Sequence, residues 1–187
     1  VVNVTIDVYV TDEETGEPVR SGNVTIYAKL TDEPDSAYVP VGTGSIDENG
    51  TVTILTNVTS KGNYTFDVEF EGNDVYGESN NLEESDVVGR LATIGATQGN
   101  TTLGNSTVIV SLNDTETGKP LVDAVVTVTL PDGTEVNGTI TADGTVEVPV
   151  DLPVGNYTLP VRYDGNDTYN ETNTTVDIEI LPRASQI

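Results

Sequence analysis

One stretch of this chain is written twice, and nothing constrains the fold more. Gly62-Asn63-Tyr64-Thr65 returns as Gly155-Asn156-Tyr157-Thr158, and Gly72-Asn73-Asp74 with Tyr76 returns as Gly165-Asn166-Asp167 with Tyr169, each match 93 positions on. A second match lies upstream: Thr15-Gly16-Glu17-Pro18-Val19 becomes Thr117-Gly118-Lys119-Pro120-Leu121, 102 positions on. The chain therefore holds two copies of one unit, with nine extra residues in the middle of the first. A period of this length marks an array of like modules. The 187 residues suit two modules of about 90 residues each, large enough to bury separate cores.

Within each copy the apolar residues recur at every second position. Val2, Val4, Ile6, Val8 and Val10 alternate with Asn3, Thr5, Asp7 and Tyr9, which predicts a strand with one face in a core and the other in water. Val24, Ile26, Ala28 and Leu30 carry a second stripe, and Thr31 to Ser36 reads as an acidic loop. Tyr38 to Ser45 reads as a short Gly-rich strand or edge, and Val52 and Ile54 open another strand. Tyr64, Phe66, Val68 and Phe70 point inward from the next. Asp47-Glu48-Asn49-Gly50 is expected as a hairpin turn, since Asn-Gly suits tight turns. In the second copy Asp143-Gly144 takes its place. Val108, Val110 and Leu112, then Val126, Val128 and Leu130, repeat the first two stripes. Tyr157, Leu159, Val161 and Tyr163 repeat the inward stripe, and Val176, Ile178 and Ile180 form a final strand.

About seven short strands per copy, with no helical period, predict an all-β chain of two tandem immunoglobulin-like β-sandwich domains. The expected boundaries are 1–94 for the first, a polar linker at 95–104, and 105–187 for the second. The last strand of copy one is expected somewhere in Leu82 to Ile94, where the pattern weakens. Tyr64 and Tyr157 open the penultimate strand of their copies, the place of a tyrosine corner. Both also suit the plainer role of core aromatics.

Thirteen asparagines stand in Asn-x-Thr, the acceptor pattern for N-linked glycans. The glycosylation candidates are Asn3, Asn23, Asn57, Asn63, Asn100, Asn105, Asn113, Asn137, Asn156, Asn166, Asn170 and Asn173. Asn49 completes the pattern but is tied into a tight turn. Asn3, Asn23, Asn105 and Asn173 fall on the outward phase.

What the chain lacks narrows its chemistry. With no His and no Cys, it has no Ser-His-Asp or Cys-His nucleophile and no His- or Cys-ligated zinc site. Carboxylates are plentiful enough for a glycosidase-like pair, but Trp, the usual sugar-stacking platform, is missing. The expectation is a non-enzyme with no cofactor. A net charge of −24 repels phosphate backbones and anionic headgroups, which speaks against nucleic acid and membrane surfaces as partners. It also fits a halophilic source. No apolar run nears the roughly 20 residues that span a bilayer. No signal-peptide pattern is present, position 1 is not Met, and Val1 already lies in a strand pattern; a mature protein or an excised fragment is expected.

Acidic loops can bind Ca²⁺ at sandwich ends, and Asp12, Glu13 and Glu14, then Asp47 and Glu48, then Asp74, Asp164 and Asp167 are the candidates. No loop has the EF-hand spacing, so solvated turns are the plainer reading. Lys29, Lys61 and Lys119 are the lysines available for an isopeptide link to Asn, but two sit in turns and Lys29 points outward.

Thr117-Gly118-Lys119-Pro120-Leu121-Val122-Asp123-Ala124-Val125-Val126, with Asp143-Gly144-Thr145-Val146 and the segment Val154 to Tyr169, resembles the bacterial-type Ig-like repeats of adhesin-like surface proteins of methanogenic archaea. The resemblance covers both copies and carries no active site. It implies tandem modules outside the cell, serving as stalk, adhesin or wall fibre. Their partners would be further copies, neighbouring Ig-like modules, wall or surface components and N-linked glycans. The alternative is a filament subunit, with Val1 to Val10 donated to an open sheet edge of the next copy. A carbohydrate-binding module would need exposed aromatics, for which Tyr9 and Tyr27 are the outward candidates.

Overall fold

Branched aliphatic residues at a period of two pack well on a pleated surface and cannot line one side of a helix. The computed structural model, which describes residues 1–187, accordingly contains thirteen strands and no helix. The chain divides into unit 1, Val1–Gly89, and unit 2, Arg90–Ile187.

Unit 2 has seven strands: β7 (Ala92–Gln98), β8 (Thr107–Asp114), β9 (Val125–Thr129), β10 (Glu135–Thr139), β11 (Thr145–Pro149), β12 (Gly155–Tyr163) and β13 (Thr172–Ile180). They form two antiparallel sheets, ordered β11-β8-β7 and β10-β9-β12-β13. Val108, Val110 and Leu112 of one sheet and Val126, Leu159 and Ile178 of the other meet in one core. Three strands packed on four make an immunoglobulin-like sandwich.

Unit 1 has six strands: β1 (Val2–Tyr9), β2 (Asn23–Leu30), β3 (Val39–Ser45), β4 (Thr51–Val58), β5 (Gly62–Phe70) and β6 (Ser79–Val87). Its four-stranded sheet runs β3-β2-β5-β6, and the facing sheet is the pair β1-β4. Val24, Ile26, Ile54, Tyr64, Phe66 and Phe70 fill the space between them. The Tyr64 and Phe66 rings stack with centroids 5.9 Å apart.

The duplication extends to strand register. Val8 lies opposite Val52 as Val110 lies opposite Val146, and Ile26 opposite Val68 as Val128 opposite Val161. Phe70 faces Ser79 as Tyr163 faces Thr172. Shifting a strand by one residue would turn its whole apolar stripe to solvent, so the stripes pin the register in both copies.

The structure corrects four expectations. The last strand of unit 1 is β6, which ends at Val87; Ala92–Ile94 belongs to unit 2. Eight of its nine residues are exposed, so β6 carries no apolar stripe to read. Residues 95–104 are not a linker, because β7 runs to Gln98 and pairs with β8 from Ala92↔Asp114 to Gln98↔Val108. Small residues hide this strand: Ala92, Ile94 and Ala96 pack against the core between Thr and Gly positions. The units accordingly meet at residues 89 and 90 rather than flanking a 95–104 spacer.

Third, Asn49-Gly50 and Asp143-Gly144 make turns but not hairpins. Gly50 N donates to Asp47 O at 3.0 Å and Gly144 N to Thr141 O at 3.0 Å. Yet the strands they join, β3 to β4 and β10 to β11, lie in opposite sheets. The sheets approach closely there. A Cβ on Gly42 would stand 2.6 Å from Ile54 Cγ2, and one on Gly138 2.7 Å from Val148 Cγ2. The glycines of these strands make room for the facing aliphatic side chains.

Fourth, Val1 to Val10 is not held out as a donor strand. β1 pairs with β4 of its own unit along its whole length, from Val2↔Val58 to Tyr9↔Thr51.

Candidate functional site

Seven cations serve a chain with 31 acidic residues, so where a cation is buried is informative. Arg90, at the start of unit 2, donates from Nε to Asp114 Oδ2 at 2.7 Å, and its Nη2 lies 3.2 Å from Glu116 Oε2. The Tyr169 hydroxyl donates to the same Asp114 Oδ2 at 2.7 Å. The other oxygen, Oδ1, accepts from Glu116 N, Thr117 N and the Thr117 hydroxyl at 2.8–3.0 Å. The Asp114 side chain is only 4% exposed, so both oxygens must be satisfied within the protein, and they are.

The backbone holds the same place. Arg90 N donates to Thr168 O at 2.8 Å, and Asn170 N to Arg90 O at 3.0 Å. The guanidinium beside Asp114 holds its carboxyl well below the usual carboxylate range, against the opposing effect of burial. Burial, followed by the bond to Asp114, pushes the Tyr169 phenol up. Chemically the cluster is a lock rather than a reaction centre. Both Asp114 oxygens are taken up by internal bonds, and the cluster ties the segment leading into β7 to the loop before β13.

Unit 1 keeps two of these three groups. Asp12 sits 102 positions before Asp114, and Tyr76 sits 93 before Tyr169. Asp12 Oδ1 accepts from Glu14 N and Thr15 N, both at 2.9 Å, as Asp114 does from the corresponding amides. Interaction with Asp12 also raises the Tyr76 phenol. The position matching Arg90 would fall ahead of Val1. This cluster was not recognised in the sequence, although the matched Asp and Tyr positions were its signal. Arg90 itself lies where the strand pattern is weakest.

The acidic loops considered for Ca²⁺ use their carboxylates to build turns. Asp47 accepts from Asn49 N, Thr51 N and the Thr51 hydroxyl at 2.9 Å, and these bonds lower its pKa. Asp143 accepts from Thr145 N at 3.1 Å in the same way. Nowhere do three acidic side chains converge as a metal-binding group. In the Gly-Asn-Asp segments the turn former is the asparagine. Asn73 Oδ1 accepts from Val75 N and Tyr76 N, and Asn166 Oδ1 from Thr168 N and Tyr169 N, all at 2.8 Å.

Of the thirteen sequon asparagines, Asn113 and Asn170 are half-buried and the rest are exposed. Asn3 and Asn57 stand directly opposite each other on β1 and β4. Several already use their carbonyl oxygen: Asn23 accepts from the Ser45 hydroxyl and Asn137 from the Thr127 hydroxyl.

The two corner tyrosines differ. Tyr157 donates to the backbone oxygen of Pro153 at 3.0 Å, the bond of a tyrosine corner. Tyr64 instead meets the Ser60 side chain at 3.1 Å and is a buried core aromatic. Tyr9 is 74% exposed but stands on β1, while Tyr27 is half-buried on β2 in the other sheet, so the pair makes no common platform. Lys29 lies 5.0 Å from the centre of the Tyr38 ring rather than against an Asn. No helix long and apolar enough to cross a membrane is present.

No family model and no curated protein matches the chain. Among solved structures, it is similar to invasin, a bacterial integrin-binding protein, at 22% identity and a TM-score of 0.49, over 97% of this chain and 36% of that one. The BSP domain of a biofilm-associated protein is similar at 18% identity and a TM-score of 0.31, over 94% of this chain and 27% of that one. Fibronectin(III)-like modules of Clostridium thermocellum CbhA are similar at 15% identity and a TM-score of 0.35, over 97% of this chain and 86% of theirs. The chain thus spans about a third of the invasin chain it matches.

Proposed function

We propose that the chain is a non-enzymatic structural or adhesive segment of an extracellular cell-surface glycoprotein, archaeal as its resemblance implies, in which sandwich modules follow one another along a stalk. The observation that carries the proposal is the placement of the sequons: thirteen asparagines, none buried, spread over both units. Glycan attachment needs an accessible asparagine, and repeated acceptors on both modules suit a sugar-coated exterior. Support also comes from the repetition itself, since two copies in one register provide length rather than a reactive cavity. The carboxylates of Asp47 and Asp114 are spent on a turn and on the Arg90 lock.

Intact mass of native-source material before and after chemical deglycosylation, followed by peptide mapping, tests the proposal. Hexose-containing mass at several of the exposed sequons is expected. Unmodified peptides at every sequon would overturn the glycoprotein assignment.

A further inference from the structure

Unit 2 closes its smaller sheet with β7, whereas β1, the match of β8 in unit 1, is an edge strand of the pair β1-β4. In unit 2, residues Val108 to Asp114 pair on one side with β7, and those up to Ser111 pair on the other with β11. Of their counterparts, Ile6 to Tyr9 pair with β4 and Thr11 bridges Pro18, while no strand lies along the other side of this backbone, which leaves N–H and C=O groups there unpaired.

The core registers the difference. Val108, Val110 and Leu112 are fully covered at 0% exposure, whereas Ile6, Val8 and Val10, at the same register, are only partly buried. The side chains that complete the cover in unit 2 include Ala92, Ile94 and Ala96 of β7. At the end of the bare edge, Asp12 and Tyr76 repeat Asp114 and Tyr169 without an arginine between them. An open edge, a half-covered apolar stripe and a carboxylate without a guanidinium therefore coincide along β1 and the residues that follow it.

We propose that the β1 edge of unit 1 is an acceptor for one added antiparallel strand with the chemistry of Arg90–Gln98. That strand would carry an arginine, then apolar residues two, four and six positions on, as Ala92, Ile94 and Ala96 follow Arg90. It would be delivered by the polypeptide leading into unit 1, as Arg90–Gln98 leads into unit 2. The added strand pairs with Ile6 to Asp12, its alternate residues cover Ile6, Val8 and Val10, and its guanidinium takes the place beside Asp12 that Arg90 takes beside Asp114. Main-chain pairing supplies affinity in such strand addition, and the side chains supply selectivity. The inference stands on the internal repeat alone, independently of the extracellular assignment.

The test extends the full chain at its N-terminus with a second copy of its own residues 90–102, so that they run into Val1 as the originals run into Leu103. Hydrogen–deuterium exchange is then followed by mass spectrometry over Ile6 to Asp12. Exchange there is expected to slow by about tenfold or more, with the unit 1 melting temperature raised by about 5 °C. Alanine for the arginine of the extension, or Asp12→Asn in the extended chain, should give back part of both gains. An extension of the same composition in scrambled order should give neither. Unchanged exchange with the native-order extension, or equal protection from the scrambled one, overturns the proposal. Concentration-dependent protection of Ile6 to Asp12 in the unextended chain, with dimers in sedimentation, would assign the edge to a second copy and overturn it as well. Exchange in unit 2, which the extension does not touch, reports that each variant is folded.

Discussion

The same carboxylate occupies two settings in this chain, and replacing it in each should give very different results. Asn in place of Asp114 can still accept the turn amides through its carbonyl oxygen, but its NH₂ then faces a guanidinium and a phenol that both donate. The charge-assisted bond from Arg90 is lost, together with the bond from Tyr169. Bonds to charged groups contribute about 1.5–3 kcal/mol and neutral ones about 1. Breaking a buried pair costs about 3–5 kcal/mol. Arg90 is 20% exposed and keeps Glu116, which moves the expectation to the low end, about 3 kcal/mol. For a unit of this size that is a fall in melting temperature of about 15 °C.

Asp12→Asn removes no guanidinium contact and should shift unit 1 far less. Scanning calorimetry, with exchange mass spectrometry to assign each transition to its unit, measures both. Equal shifts in the two units, or a shift below about 4 °C for Asp114→Asn, would refute the role given to Arg90.

Three further outcomes follow from the packing and the charges. Tyr163 carries the one buried side-chain polar atom without a hydrogen-bond partner, its hydroxyl, where unit 1 has Phe70. Tyr163→Phe should therefore stabilise unit 2 by about 1 kcal/mol in urea unfolding, and a loss would show that the hydroxyl is satisfied in solution. Gly138→Ala places a methyl against Val148 and Val146 and should cost about 1–3 kcal/mol; a neutral result would mean that the sheets can part without penalty. Asp114, Asp12, Asp47, Asp132, Asp143 and Glu135 all have folded pKa values below their ordinary ones. Their contribution is therefore complete above the unfolded values near about 4 and is lost as pH falls below them. Melting temperature should hold from neutral pH to about 4 and drop beneath it. At pH 7 it should rise with NaCl as the net −24 is screened, and a fall with salt would contradict this.

What could be read from the residues divides along physical lines. Strands with one face in the core announced themselves, because Val108, Val110 and Leu112 or Val176, Ile178 and Ile180 must alternate to be buried. β6 has solvent around nearly every side chain and is not obliged to alternate, and β7 covers the core with Ala92, Ile94 and Ala96, two of them too small to make a clear stripe between Thr and Gly. The Asp-Gly and Asn-Gly turns were legible as chain reversals. Whether the flanking strands then pair depends on which sheet each apolar stripe faces, and a turn dipeptide does not encode that. The lock was partly visible as Asp12 with Asp114 and Tyr76 with Tyr169. Its arginine was not, because the position matching Arg90 falls ahead of Val1 and so no repeat marks it.

The nine-residue border at β6 also bears on how such a chain avoids folding wrongly. Modules of like register on one polypeptide tend to trade segments while they are still forming. β6 presents Glu83, Glu84 and Asp86 along a margin that bonds only to β5, and β13 carries Asp177 and Glu179 at the matching margin of unit 2. Two such margins brought side by side repel, so each newly made module is steered towards its own neighbours in sequence and away from its twin.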